Sequence, residues 1–221
     1  MKLKYKAVTA VLLAVLMVFT GCGKSKDQVS EKSSSDAEAT TEWQEVIVTA
    51  NPDAEPKSGA QPVLALSSAE GKPGETVDMT LSVSGADQKW AMCGIHITYD
   101  ERLVGVPNKN DEKTPAYKKG SAISDFDAAV AMFQIGSDRN EYLIENKLSS
   151  IFFAAVGSDN VGKDGDIVTF QLTIPEDAEP GTEYELGIYY RSEDMFMDID
   201  RDEAIQDYAF SHYQTGKITV K

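Results

Sequence analysis

The segment Thr76-Val77-Asp78-Met79-Thr80-Leu81-Ser82-Val83 places an apolar residue at every second position. Side chains on a strand point alternately to opposite faces, so a period of two describes a strand with one face buried and one wet. The pattern recurs outward in both directions. Upstream, Val63-Leu64-Ala65-Leu66 precedes the turn-forming Gly71-Lys72-Pro73-Gly74. Downstream, Cys93, Ile95, Ile97 and Tyr99 alternate. So do the residues from Ile167 to Ile174, stopped by Pro175, and then Tyr184, Leu186, Ile188 and Tyr190. Ala128 to Ile135 and Leu148 to Val156 are apolar runs that suit strands buried on both faces. The chain closes on a strand-like Lys217-Ile218-Thr219-Val220-Lys221. Short strands divided by turn residues predict a single all-β sandwich over residues 62–221. Helical spacing is confined to about one turn near Arg201 to Tyr208.

The N-terminus carries a different message. Lys2, Lys4 and Lys6 precede an apolar run from Ala7 to Val18, and Phe19-Thr20-Gly21-Cys22 ends it. A basic start, a short apolar core and a small-residue finish describe a secretory signal over residues 1–21. The apolar run is too short to span a bilayer, which takes about 20 residues. Gly21-Cys22 resembles a bacterial lipobox, in which the signal is cut before the cysteine and the thiol is acylated. Cys22 is therefore the expected lipidation site, with the protein held at the extracellular face of the membrane. Residues 22–61 are expected to form a flexible stalk, because Ser33-Ser34-Ser35, Thr40-Thr41 and scattered charges offer little apolar surface to offset ordering. Glu45-Val46-Ile47-Val48-Thr49 is the one strand-like exception within it.

The formal net charge is −15, and loss of the three signal lysines makes the mature chain more acidic still. Such a surface repels phosphate backbones, which argues against nucleic acid as a partner. With Cys22 acylated, only Cys93 remains, and its place in an alternating strand points to a buried, inert thiol. His96 and His212 have no companions at metal-ligand spacing, and His212 is expected as a structural residue at the start of the last strand. Asp198, Asp200 and Asp202 alternate as calcium ligands could, but Glu203 stands where an EF-hand loop needs glycine. The run from Asp159 to Asp166 fails through Val161. No metal site is therefore expected. No nucleophile elbow, phosphate loop or histidine-based triad is present either, and the chain is not expected to be an enzyme.

Taken in order, several segments resemble the cohesin family, the receptor modules of cellulosome scaffolds. Val63-Leu64-Ala65-Leu66 with Gly71-Lys72-Pro73-Gly74-Glu75-Thr76-Val77 is similar to that family's first hairpin, and Gly94-Ile95-His96-Ile97-Thr98-Tyr99-Asp100-Glu101-Arg102-Leu103 to its third strand. Lys119-Gly120-Ser121-Ala122 with Asp125-Phe126 resembles the approach to the fifth strand, and Asp164-Gly165-Asp166-Ile167-Val168-Thr169-Phe170 the seventh. The chain departs from the family at Glu101, where proline is frequent, and in an acidic stretch from Glu193 to Asp207 that looks like an insertion.

The resemblance implies a monomeric, nine-stranded jelly-roll β-sandwich that binds a dockerin carried by an enzyme or another scaffold. No cofactor is implied for this chain, and calcium is expected on the dockerin. Contacts would lie on the face formed by the fifth, sixth, third and eighth strands. Alternation then selects Met92, Gly94, His96 and Thr98 on the third strand, and Glu185, Gly187 and Tyr189 on the eighth. By resemblance, Ser150, Phe152 and Ala154 turn outward on the sixth strand while Ile151 and Phe153 stay inside, and Asp127 and Ala129 serve from the fifth. Phe152 has two readings, as the centre of an interface or as a residue masked by a loop of its own domain. The rival function is a surface carbohydrate-binding module, which would display coplanar exposed aromatic rings; Trp43 falls in the stalk and Trp90 at the edge of the third strand. A spacer or adhesin sandwich is a further alternative.

Overall fold

The computed structural model describes residues 47–221. The expected signal peptide, Cys22 and the stalk up to residue 46, with Trp43, lie outside the described residues. Nine principal strands form the sandwich: β1 (Val63–Leu66), β2 (Thr76–Ser84), β3 (Met92–Asp100), β4 (Tyr117–Lys119), β5 (Ala128–Gln134), β6 (Leu148–Val156), β7 (Gly165–Thr173), β8 (Glu183–Tyr189) and β9 (Gly216–Val220). Two helices, α1 (Glu141–Glu145) and α2 (Glu203–Ser211), are added.

The back sheet runs β1-β2-β7, and its last edge is shared by β4 and the short pair Val104–Gly105, both hydrogen-bonded to β7. The front sheet runs β9-β8-β3-β6-β5, with Ala69–Gly71 lying parallel to β9 at one edge. The two inner faces meet in one core that includes Leu64, Met79, Leu81, Ile95, Ile97, Tyr99, Phe153, Phe170 and Ile218, each 2% exposed or less. The alternation of β2 reappears as alternating exposed and buried residues. In β7 it is broken once, where a bulge between Asp166 and Val168 lets Ile167 and Val168 both face inward. Cys93 faces this core, and burial pushes its thiol up to about 12.

Three expectations need correction. The compact unit begins near residue 45 rather than at 62. Ala50 and Ala60 are buried in the core, Gln61 N–H donates to Gly85 O at 2.9 Å, and Lys57 N–H donates to Asp202 Oδ2 at 2.7 Å. Small apolar residues separated by polar ones carry no periodicity, yet both are buried with the core. His212 does not open the last strand. It caps the C-terminus of α2, with its ring stacked on Tyr208 at 4.0 Å, and β9 starts four residues later. Helix α1 carries no apolar period in its five residues; its Asn140 cap accepts from Leu143 N at 2.9 Å.

Helix α2 was legible only as a turn. Its side chains at Ile205, Ala209 and Phe210 are buried, and Tyr190 stacks on Phe210 at 4.1 Å. Asp202 caps its N-terminus, while Asp198 Oδ1 accepts from Asp202 N at 2.9 Å. Two of the three aspartates that alternate like calcium ligands, Asp198 and Asp202, are thus engaged in ordering this loop.

Candidate interaction face

The outer side of the front sheet can be built row by row from strand register, because residues directly opposite in antiparallel strands share a face. Gln134, Ser150, Thr98 and Gly187 form one row; Met132, Phe152, His96 and Tyr189 form the next. Val130, Ala154 and Gly94 continue the face, followed by Ala128, Val156 and Met92. Beyond Tyr189 the eighth strand leaves the sheet and returns as Met195–Met197, which pairs with Gly94, Cys93 and Met92. The five residues 190–194 thus form an excursion opposite the single residue Ile95.

The β3 and β8 side of the first two rows, with Ser150, is largely sealed by the chain itself. His96 is 2% exposed, with Thr98, Ser150 and Tyr189 also buried. The His96 ring is gripped on both nitrogens. Gln134 Nε2 at 3.1 Å and Arg191 Nη1 at 3.2 Å both donate to His96 Nε2, so the ring proton stands on Nδ1 and donates to Asp194 Oδ1 at 2.6 Å. Ser150 Oγ donates to Gln134 Oε1 at 2.9 Å, and Arg191 N–H donates to Asp194 Oδ2 at 3.1 Å. Burial pushes the Asp194 carboxyl above the usual carboxylate range, while the hydrogen bond from His96 pulls the other way. Tyr189 lies under α1, stacked on Tyr142 at 4.3 Å and accepting from Asn140 Nδ2 at 3.2 Å. His96, Thr98, Ser150 and Tyr189, all expected as outward contacts, therefore have the expected parity but a cover of the protein's own making.

The other end of the face is open. Val130 is 48% and Met132 45% exposed, and Phe152, Ala154, Val156 and Met92 are half-buried. Phe152 leans on the His96 ring, centroids 4.6 Å apart. The sealed network thus backs Phe152 on one side, and open apolar surface adjoins it on the other.

Ala129 requires correction. It pairs with Ala155 and packs against the core, so the outward residues of β5 are Ala128, Val130 and Met132. Both parities of this strand are apolar, and a shift of one residue exchanges its faces. Asp127 is exposed just before β5, its N–H donating to Val156 O at 2.9 Å. Glu185 is exposed and Gly187 half-buried near the β9 side. Val130, Met132, Met195 and Met197 escaped sequence reasoning; the one available signal was Met-Phe-Met inside an otherwise acidic stretch.

Among the described residues, no three His, Cys, Asp or Glu side chains gather as a metal cage. Tyr213, 36% exposed, is the most exposed Phe, Tyr or Trp among them, and Trp90 is fully buried between Phe126 and Phe196. The planar aromatic strip that would favour glycan binding is not formed by these residues.

Two sheets packed face to face as a jelly roll, antiparallel except at the Ala69–Gly71 edge, with an open apolar face on one of them, define a β-sandwich module. The family model described as the cohesin domain matches residues 62–191, more than half of the sequence, and the chain belongs to the cohesin family. These are non-catalytic interaction modules, so the protein is not an enzyme. Among solved structures, a type III cohesin module from the cellulosomal ScaE cell-surface anchoring scaffoldin of Ruminococcus flavefaciens is 30% identical, with a TM-score of 0.63 over 74% of this chain and 89% of that one. The Coh-OlpA–Doc918 type I cohesin–dockerin complex of Clostridium thermocellum is 12% identical, with a TM-score of 0.51 over 73% of this chain and 99% of that one; it supports the fold alone. No curated protein matches the sequence.

Proposed function

We propose that this protein is a cell-surface cohesin that captures a calcium-loaded dockerin on the open end of its front face and so tethers an enzyme or scaffold to the cell. The observation that carries this reading is the exposed apolar surface of Val130 and Met132 beside Phe152, on a module whose family exists to bind proteins. Apolar centres ringed by polar residues are where interface energy concentrates. The cell-surface location draws support from the scaffoldin that carries the similar type III module. Acylation at Cys22 would supply the membrane attachment, with residues 22–44 as the stalk. Two or more acyl chains, each methylene contributing about 0.8 kcal/mol, hold a protein stably where one does not.

The test is calorimetric titration of the protein against dockerins from the same genome, in calcium and then in chelator. Binding to one dockerin that disappears with chelator and weakens in Phe152→Ala is the expected result. Retention on cellulose or xylan with no dockerin bound would transfer the function to carbohydrate binding. For the anchor, labelled palmitate should enter the wild-type protein and be absent from Cys22→Ser; equal labelling of both would remove the lipid assignment.

A further inference from the structure

We infer that Met132 is a modification site: its thioether takes one oxygen atom from a hydroperoxide, and the resulting sulfoxide releases the partner held on the open end of the front face. The release rests on the dockerin reading; the site itself rests on the sulfur chemistry of the chain.

The described residues carry six sulfur atoms, and they differ widely in access. Met79 and Cys93 are sealed in the core, 0% and 1% exposed. Burial also pushes the Cys93 thiol up to about 12, which keeps it protonated, whereas the thiolate is the reactive form. Met92, Met195 and Met197 are half-buried, with Met197 directly opposite Met92 in paired strands. Met132 alone is exposed, at 45%, and it lies on β5, the last strand of the front sheet. A thioether needs no ionisation to react, so access decides which methionine is oxidised. Met132 is the sulfur that a small oxidant reaches first.

The step transfers a single oxygen. Met132 Sδ attacks the outer oxygen of the hydroperoxide, the O–O bond breaks, and an S–O bond forms. The sulfur gives up two electrons and the peroxide accepts them. The departing oxygen takes the proton of the transferred hydroxyl and leaves as water or an alcohol. The product, methionine sulfoxide, is polar where the thioether was apolar, and enzymes of the sulfoxide reductase class restore it.

The surroundings of Met132 turn that step into a switch. Met132 shares its face with Val130 on the same strand, opposes Phe152 on β6, and has Ala154 diagonal to it. In the adjoining row, Gln134 Nε2 donates to the His96 ring and Ser150 Oγ donates to Gln134 Oε1, so these polar groups are engaged by the sealed network. While the face is open, water solvates the sulfoxide oxygen and the fold is undisturbed. Under a bound partner, that oxygen must shed its water against valine, alanine and phenylalanine, which costs affinity unless a donor meets it. The same covering shields the thioether, so partner binding and oxidation oppose each other.

The test exposes the full chain to hydrogen peroxide, alone and with the dockerin the wild type binds. Peptide mass mapping locates the added oxygen, and calorimetry reads the affinity. Oxygen should enter at Met132 first, and more slowly in the complex, while affinity falls about tenfold. Treatment with methionine sulfoxide reductase should return the affinity. Met132→Leu, of similar volume and without sulfur, should keep its own untreated affinity through the same exposure. First oxidation at Met92, Met195 or Met197 would overturn the site. Sulfoxide at Met132 with unchanged affinity would overturn the release and leave the dockerin reading standing; an equal peroxide-induced loss in Met132→Leu would do the same. Failure of the untreated wild type to bind any dockerin would remove the dockerin reading and the release with it, while the mass map still decides the site.

Discussion

The two ends of the front face share strands and parity, yet they differ in what covers them. At the His96 end, the sheet presents histidine, threonine, serine and tyrosine, and the chain folds α1 and residues 190–194 over them. At the Val130 end, it presents valine, methionine, alanine and phenylalanine and leaves them partly open. A polar row can be sealed only if every donor and acceptor finds a partner, and the network from Ser150 through Gln134 and His96 to Asp194 meets that demand. An apolar row carries no such demand and can await a partner at little cost to the fold. Burial by the chain's own segments therefore marks structure, and apolar exposure on the same sheet marks the place to look for function.

The contrast predicts where substitutions act. Phe196→Ala should have the largest effect on folding, because it empties a fully buried ring site against Trp90 and frees the strand carrying Met195. A loss of about 3–5 kcal/mol is expected in denaturant titration. A change below 1 kcal/mol would mean that the Met195–Met197 strand is held by something other than the core. Asp194→Ala should follow, at about 1–3 kcal/mol, because it leaves the buried His96 Nδ1–H without its acceptor. Thermal melting of this variant should show a lowered midpoint; an unaltered midpoint would mean that the sealed end contributes little to folding. Met132→Ala should change stability least, within about 0.5 kcal/mol, given its exposure. A larger loss would make the open end part of the fold and erase the distinction between the two.

Much of this was legible in the sequence, though unevenly. In β2, β3 and β8 most of the apolar residues occupy one parity, Met92 and Tyr189 excepted, so Met79, Ile97 and Leu186 announce their own direction. In β5 both parities are apolar, and the choice between Ala129 and Val130 depends on register with β6, a long-range fact. The Phe152 dilemma had the same origin. The sealing of His96 was invisible for another reason. Its partner Asp194 lies 98 positions away in a stretch that reads as an acidic loop, and nothing local distinguishes Asp194 from Glu193. The packing of Ala50 and Ala60 was hidden by their size, since a small residue in a polar segment gives no periodic signal.

The most direct test of the account compares the two sheets of the sandwich as binding surfaces. A calcium-loaded dockerin bound by the wild type would be titrated into Met132→Asp, on the open front face, and into Lys118→Glu, on exposed β4 of the back sheet. The account predicts at least about a tenfold loss of affinity for Met132→Asp and none for Lys118→Glu. Full affinity in Met132→Asp together with a loss in Lys118→Glu would put the partner on the back sheet and contradict it.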